Sequence, residues 1–171
     1  MAEPPRLGLP FDPIARAAQT WEREFGPASA MRVATSVMRV QQLLLARYDA
    51  VLKPYGITFA RYEALVLLRF ARRGALPLKI MGERLMVHPT SVTNIVDRLV
   101  ASGLVERRPN PADGRGVLAS LTDEGRDVVE RATRDLMAID FGLDVLDDAA
   151  RDLVYEQLRA VRLAAGDVAA S

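Results

Sequence analysis

Between residues 90 and 98 the chain sets out hydroxyl, amide and guanidinium side chains at helical spacing: Thr90, Ser91, Thr93, Asn94 and Arg98, with Asp97 and Ala101 beside them. No catalytic base stands among them, so the chemistry open to the set is recognition. Short hydroxyl and amide groups let a helix backbone approach the edges of nucleic-acid bases and donate or accept hydrogen bonds there. The first turn of such a helix also offers backbone N–H groups to a phosphate. A little further on, Arg107, Arg108 and Arg115 place guanidinium groups on and beside a turn-rich segment, the shape that a narrow groove admits. The same residue types also serve as solvated surface or local caps. The order in which they occur gives them weight.

Composition removes most other chemistry. The chain has 171 residues, no cysteine and one histidine, His88. Disulfides, thiolate metal sites, cysteine nucleophiles and thiol redox switches are excluded, and a multi-histidine metal site or a histidine acid/base pair has no material. With no nucleophile-base pair, phosphate-cradling glycine loop or metal-ligand cluster in the pattern, the expectation is a non-enzyme with neither metal nor cofactor. Half of the residues are hydrophobic, 26% are charged, and the net charge is +1. That small sum hides an asymmetry: residues 1–57 carry 7 basic and 5 acidic side chains, residues 58–118 carry 10 and 5, and residues 119–171 carry 6 and 12. A basic middle before an acidic end suggests that the middle meets a polyanion, although solvated helix faces would use the same charges. The first residues lack a basic-then-apolar leader, and no stretch approaches the roughly 18 apolar residues of a membrane span. A cytoplasmic, soluble protein is expected.

The elements that must position these residues follow from periodicity. Residues 1–10 are proline-rich and read as an arm. Asp12 and Pro13 open a short amphipathic helix with Ile14, Ala17, Ala18, Trp21 and Phe25 at helical spacing, stopped by Gly26-Pro27. A long helix is expected over 29–53, and another, capped by Thr58, over 58–73 with Gly74 as its stop. Two shorter helices follow over 78–86 and 89–102. In the second, Val92, Ile95, Val96, Leu99 and Val100 form an apolar stripe that turns the polar set outward. The β-rich runs 104–108 and 117–121 flank a turn-rich tip and predict a hairpin. Thr122 then caps a helix running to about residue 141, and a last helix spans 147–164.

Helix, break, helix, strand, tip, strand over 78–121 is the order of a winged helix-turn-helix. The run 92–108, VTNIVDRLVASGLVERR, followed by Asp113-Gly114-Arg115 and by Leu121-Thr122-Asp123-Glu124-Gly125, resembles the signature of the MarR family of bacterial transcription regulators. The likeness covers about residues 30–165. The expected fold is mainly α with a small β-hairpin wing: an arm and extra helix over 1–28, a winged helix-turn-helix over 58–121, and a helical dimerisation region over 29–57 and 122–171.

The resemblance implies a homodimer in which the long N-terminal helix and the two C-terminal helices of each chain intertwine. Those helices carry more apolar surface than one small winged domain can cover, which agrees. It implies a repressor on a palindromic stretch of double-stranded DNA, with Thr90, Ser91, Thr93, Asn94, Arg98 and Arg107 at the DNA surface and Arg115 entering the minor groove. It further implies a small anionic or phenolic effector in a crevice near Arg39, Arg61, Tyr62 and His88. Each of these four has a plainer role open to it: Arg39 and Arg61 as surface charges, Tyr62 as core, His88 as a cap or phosphate contact. One branch of the family has an extra N-terminal helix and responds to urate. Its recognition-helix arginine is replaced here by Ile95, while Glu63 and Arg107 occupy the other two positions, and Trp21 suits packing of the extra helix. The alternative to DNA binding is a winged-helix module that docks another protein.

Overall fold

The chain was analysed as a computed structural model, which describes residues 8–72, 74–110 and 116–168. Helix α1 (Pro13–Glu24) opens as expected: the Asp12 carboxylate accepts the N–H groups of Ile14 and Ala15 at 2.9 and 3.3 Å, and Pro13 supplies the preset φ of a first turn. Helix α2 (Ser29–Leu52) runs on into a short 3-10 turn, Lys53–Tyr55, that ends at left-handed Gly56. Helix α3 (Phe59–Arg69) is capped differently from expectation. Thr58 makes no side-chain cap; Asp49 of α2 reaches over and its Oδ1 accepts the Phe59 N–H at 2.7 Å. α3 also stops four residues earlier than the pattern suggested, because Phe70 and Ala71 close the last turn on Val66 and Leu68.

Strand β1 (Ala75–Pro77), which has no periodic signal of its own, leads into α4 (Leu78–Leu85). Met86 turns the chain in the left-handed conformation, φ 53° and ψ 41°, and α5 (Pro89–Ala101) follows. Gly82 lets these two helices close up, since a Cβ there would stand 3.1 Å from a Val92 methyl. Strands β2 (Val105–Pro109) and β3 (Val117–Leu121) form the hairpin. β1 adds to its other edge, giving a three-stranded antiparallel sheet in the order β1-β3-β2, with Arg107 opposite Ala119 and Leu76 opposite the same residue across β3.

Helix α6 (Asp123–Met137) begins at Thr122, whose Oγ1 accepts the Gly125 N–H at 3.0 Å and donates to the Gly103 carbonyl at 2.7 Å. Gly125 is required here: a Cβ would fall 1.9 Å from the Leu104 carbonyl oxygen. The Leu-Thr-x-x-Gly spacing thus has a physical meaning, because it welds the start of α6 to the end of the recognition region. The core fills the space between α3, α5, the sheet and α6, with Leu65, Leu68, Met81, Val92, Val96, Leu99, Val129 and Leu136 essentially removed from water and Leu52 of α2 beneath them.

Between α6 and α7 (Asp148–Ala164) lies a left-handed turn, with φ of 46°, 50° and 74° at Asp140, Phe141 and Gly142. Two non-glycine residues in this region cost about 1–3 kcal/mol each. The surroundings hold them: the Tyr48 hydroxyl donates to the Phe141 carbonyl at 2.7 Å, and Arg151 binds Asp140 at 3.0 Å and the Leu143 carbonyl at 3.2 Å. α7 itself has no buried residue, although Leu153, Val154, Leu158 and Val161 share its apolar stripe. α2 likewise exposes Val33, Val37, Met38, Val40 and Leu43, and on α1 Trp21 stacks on Phe25, 5.1 Å between centroids, with both rings open to solvent. No helix of the described residues is long and apolar enough to cross a membrane.

Candidate nucleic-acid interface

α5 is anchored by its inward side. Val92, Val96 and Leu99 are fully buried and Ile95 is half-buried, whereas Val100, expected in the stripe, lies 38% exposed at its edge. That anchoring leaves Thr90, Ser91, Thr93, Asn94, Asp97 and Arg98 all exposed on one outward surface. Pro89, Thr90, Thr93, Asn94 and Asp97 line an open cleft of about 510 Å³ along it. The Thr93 hydroxyl donates back to the Pro89 carbonyl at 3.1 Å, which leaves its lone pairs outward. Among the described residues the side chains of Ser91, Asn94 and Arg98 make no hydrogen bond or ion pair, so their full capacity faces solvent.

His88 caps α5, its Nδ1 accepting the Thr90 N–H at 3.3 Å. Ser91 and Val92 direct their N–H groups to the His88 carbonyl at 2.8 and 3.1 Å, and Pro89 has none. The first turn therefore has no free N–H to offer a phosphate, contrary to the expectation from sequence. The geometry draws recognition from side chains instead.

The wing is built by strand alternation. On one face of β2, Glu106 pairs with Arg108 and accepts from Ser120 of β3 at 3.3 Å. On the other face Arg107 crosses to α5 and bonds Asp97 at 2.7 Å. This ion pair between wing strand and helix has no signature in the sequence, since its partners are neither adjacent nor at helical spacing. Asn110 donates its N–H to the Gly116 carbonyl at 2.9 Å at the base of the tip. Arg115, assigned to the wing tip from the sequence, lies outside the described residues.

Among the described residues no hydrogen bond or ion pair joins any two of the four crevice residues. Tyr62 is core, 5% exposed, and its hydroxyl meets Thr133 Oγ1 at 3.0 Å. Since Thr133 gives its own hydrogen to the Val129 carbonyl at 2.7 Å, Tyr62 is the donor. Arg39 and Arg61 are half-buried on α2 and α3, and His88 is exposed at its cap. Glu63, much of it exposed, has its carboxyl raised above the ordinary range by desolvation.

A model of the MarR family matches residues 58–117, the stretch from the start of α3 into β3. The fold superposes on Sco5413, a MarR family transcriptional regulator from Streptomyces coelicolor, with a TM-score of 0.77 and 61% identity, over 82% of this chain and 98% of that one. The chain belongs to the MarR family. The chain is also similar to the uncharacterised HTH-type transcriptional regulator YhbI of Bacillus subtilis, 29% identical over 90% of this chain and 88% of its own. A mutant form of Escherichia coli MarR, solved in complex with operator DNA, superposes with a TM-score of 0.70 at 26% identity, over 78% of this chain and 96% of that one. As a MarR-family transcriptional regulator, the chain presents a polar α5 on the body that the family model spans.

Proposed function

We propose that this regulator acts as a homodimer on a palindromic DNA operator, as a repressor released by a small anionic or phenolic ligand. The observation that carries the reading is the division of α5 into a fully buried stripe and an exposed polar face. A helix anchored this firmly presents Thr90, Ser91, Thr93, Asn94 and Arg98 to a major groove without further ordering, with Arg115 in the adjoining minor groove and Arg107 at the margin of the surface. The DNA-bound relative supports the same use of the fold.

The uncovered apolar stripes of α2 and α7 support the dimer, because a 17-residue helix with no buried residue gains little from standing alone. In this division of labour, residues 29–57 and 122–171 join the copies and residues 58–121 meet DNA, with the extra helix over 1–28 alongside. Paired copies set two recognition helices about one DNA turn apart, hence an inverted-repeat operator. The effector belongs in the crevice that a second copy completes around Arg39 and Arg61, with His88 at its DNA end. Tyr62 contributes as a wall rather than as a ligand contact. Action on DNA places the protein in the cytoplasm.

The test is selection of duplexes from a randomised pool, with binding followed against salt. Enrichment of an inverted repeat whose affinity falls steeply with salt is expected. Failure to enrich any duplex overturns the reading in favour of a protein-docking module. Within the selected site, Asn94→Ala should relax preference at one position per half-site, at a cost of about 1–3 kcal/mol if the amide reads a base edge. An unchanged preference removes Asn94 from the surface.

A further inference from the structure

We infer that Asp97 limits the sequence-independent, salt-dependent part of DNA binding by holding Arg107 against α5, so that this guanidinium is kept off the phosphate backbone. The role rests on the DNA-binding reading above. Asp97 is the single acid on α5 and shares the outward cleft with Pro89, Thr90, Thr93 and Asn94. A carboxylate there faces a polyanion and would weaken any DNA complex if it stood alone. It does not stand alone, because Arg107 reaches it from β2 at 2.7 Å. Among the described residues Arg107 has no competing acid, since Glu106 and Arg108 pair with each other on the opposite face.

The pair is electrically neutral where the neighbouring side chains are mostly uncharged hydrogen-bonding groups. Every phosphate contact adds affinity for any sequence, and base contacts alone add preference. Withdrawing one arginine from the phosphate ladder therefore lowers the sequence-independent part of binding and leaves the base-reading part intact. Both partners are substantially exposed, so the pair contributes little to folding and its variants will fold.

The experiment measures the slope of log affinity against log salt for wild type, Asp97→Asn, Asp97→Glu, Arg107→Ala and the Asp97→Asn/Arg107→Ala double variant, on the selected duplex and on a scrambled one. Thermal unfolding of each confirms the fold. Asp97→Asn should bind the scrambled duplex more tightly at low salt, with a slope steeper by about one contact, which is about a 3.5-fold larger loss over a roughly fourfold rise in salt. The selected duplex should gain by the same factor, so the preference between the two stays that of wild type. Asp97→Glu should keep the wild-type slope, and the double variant should return to it. Arg107→Ala should weaken both complexes through the uncovered Asp97 charge, with a shallower slope because salt screens that repulsion. A slope shallower than wild type by one in the double variant, or equal slopes in wild type and Asp97→Asn, overturns the role while leaving DNA binding in place. A wild type that binds neither duplex overturns the DNA reading and this role together.

Discussion

At the scale of single residues, the fold asks two side chains to accept unfavourable surroundings. Met86 occupies the left-handed region in the turn between α4 and α5, with its side chain 82% exposed and no packing to compensate. Met86→Gly should stabilise the protein by about 0.5–1 kcal/mol, the relief of left-handed strain exceeding the added chain entropy. A fall in the thermal midpoint would show that the thioether matters to the turn. Glu63 is the second case. Its folded-state value is raised by desolvation, so the folded protein binds this proton more tightly than the unfolded chain, and stability is lost as pH rises through the carboxylate range. Glu63→Gln should therefore raise the melting temperature at neutral pH, with the gain vanishing at acid pH where both states carry the proton. An identical gain at both pH values would assign it to packing instead.

At the scale of elements, local signals announced most of what local forces build. The Val92, Val96, Leu99 stripe, the caps at Asp12 and Thr122, and the hairpin of the runs 104–108 and 117–121 could all be read from spacing and residue type, and each is present within a residue. What escaped was made by partners distant in the chain. The α3 cap belongs to Asp49, ten residues upstream; β1 exists because β3 offers an edge; Arg107 is drawn to a helix residue. The turn at 140–142 escaped for another reason, because Asp140 and Phe141 carry no glycine signal and are forced left-handed by Tyr48 and Arg151. Of the candidate site, the outward face of α5 was legible from the stripe opposite it, while no local spacing or periodicity groups Arg39, Arg61, Tyr62 and His88. The joint between α5 and α6 gives the element-scale prediction. Gly125→Ala drives a methyl into the Leu104 carbonyl, and should cost at least about 2–3 kcal/mol in chemical unfolding. A cost below about 1 kcal/mol, in the range of a surface substitution, would mean that α6 shifts freely against the wing.

At the scale of the whole molecule, one chain leaves two apolar stripes open to solvent. The compact part is α3 to α6, and the apolar stripes of α2 and α7 project from it uncovered. Leu158→Asp on α7, a residue 41% exposed in the single chain, should leave the helical circular dichroism spectrum nearly unchanged while halving the sedimenting mass at micromolar concentration. A substituted protein that still sediments as a pair would move the interface elsewhere.

The left-handed corner at 140–142 has a consequence for evolution as well as for assembly. Since Arg151, Tyr48 and the corner together set the bearing on which the last helix departs, the angle between the two copies of the proposed homodimer would be written into each polypeptide before they meet. A change of a few degrees there is amplified along 17 residues of helix, so in that proposed homodimer a substitution at Arg151 would retune which spacing of half-sites the pair can straddle.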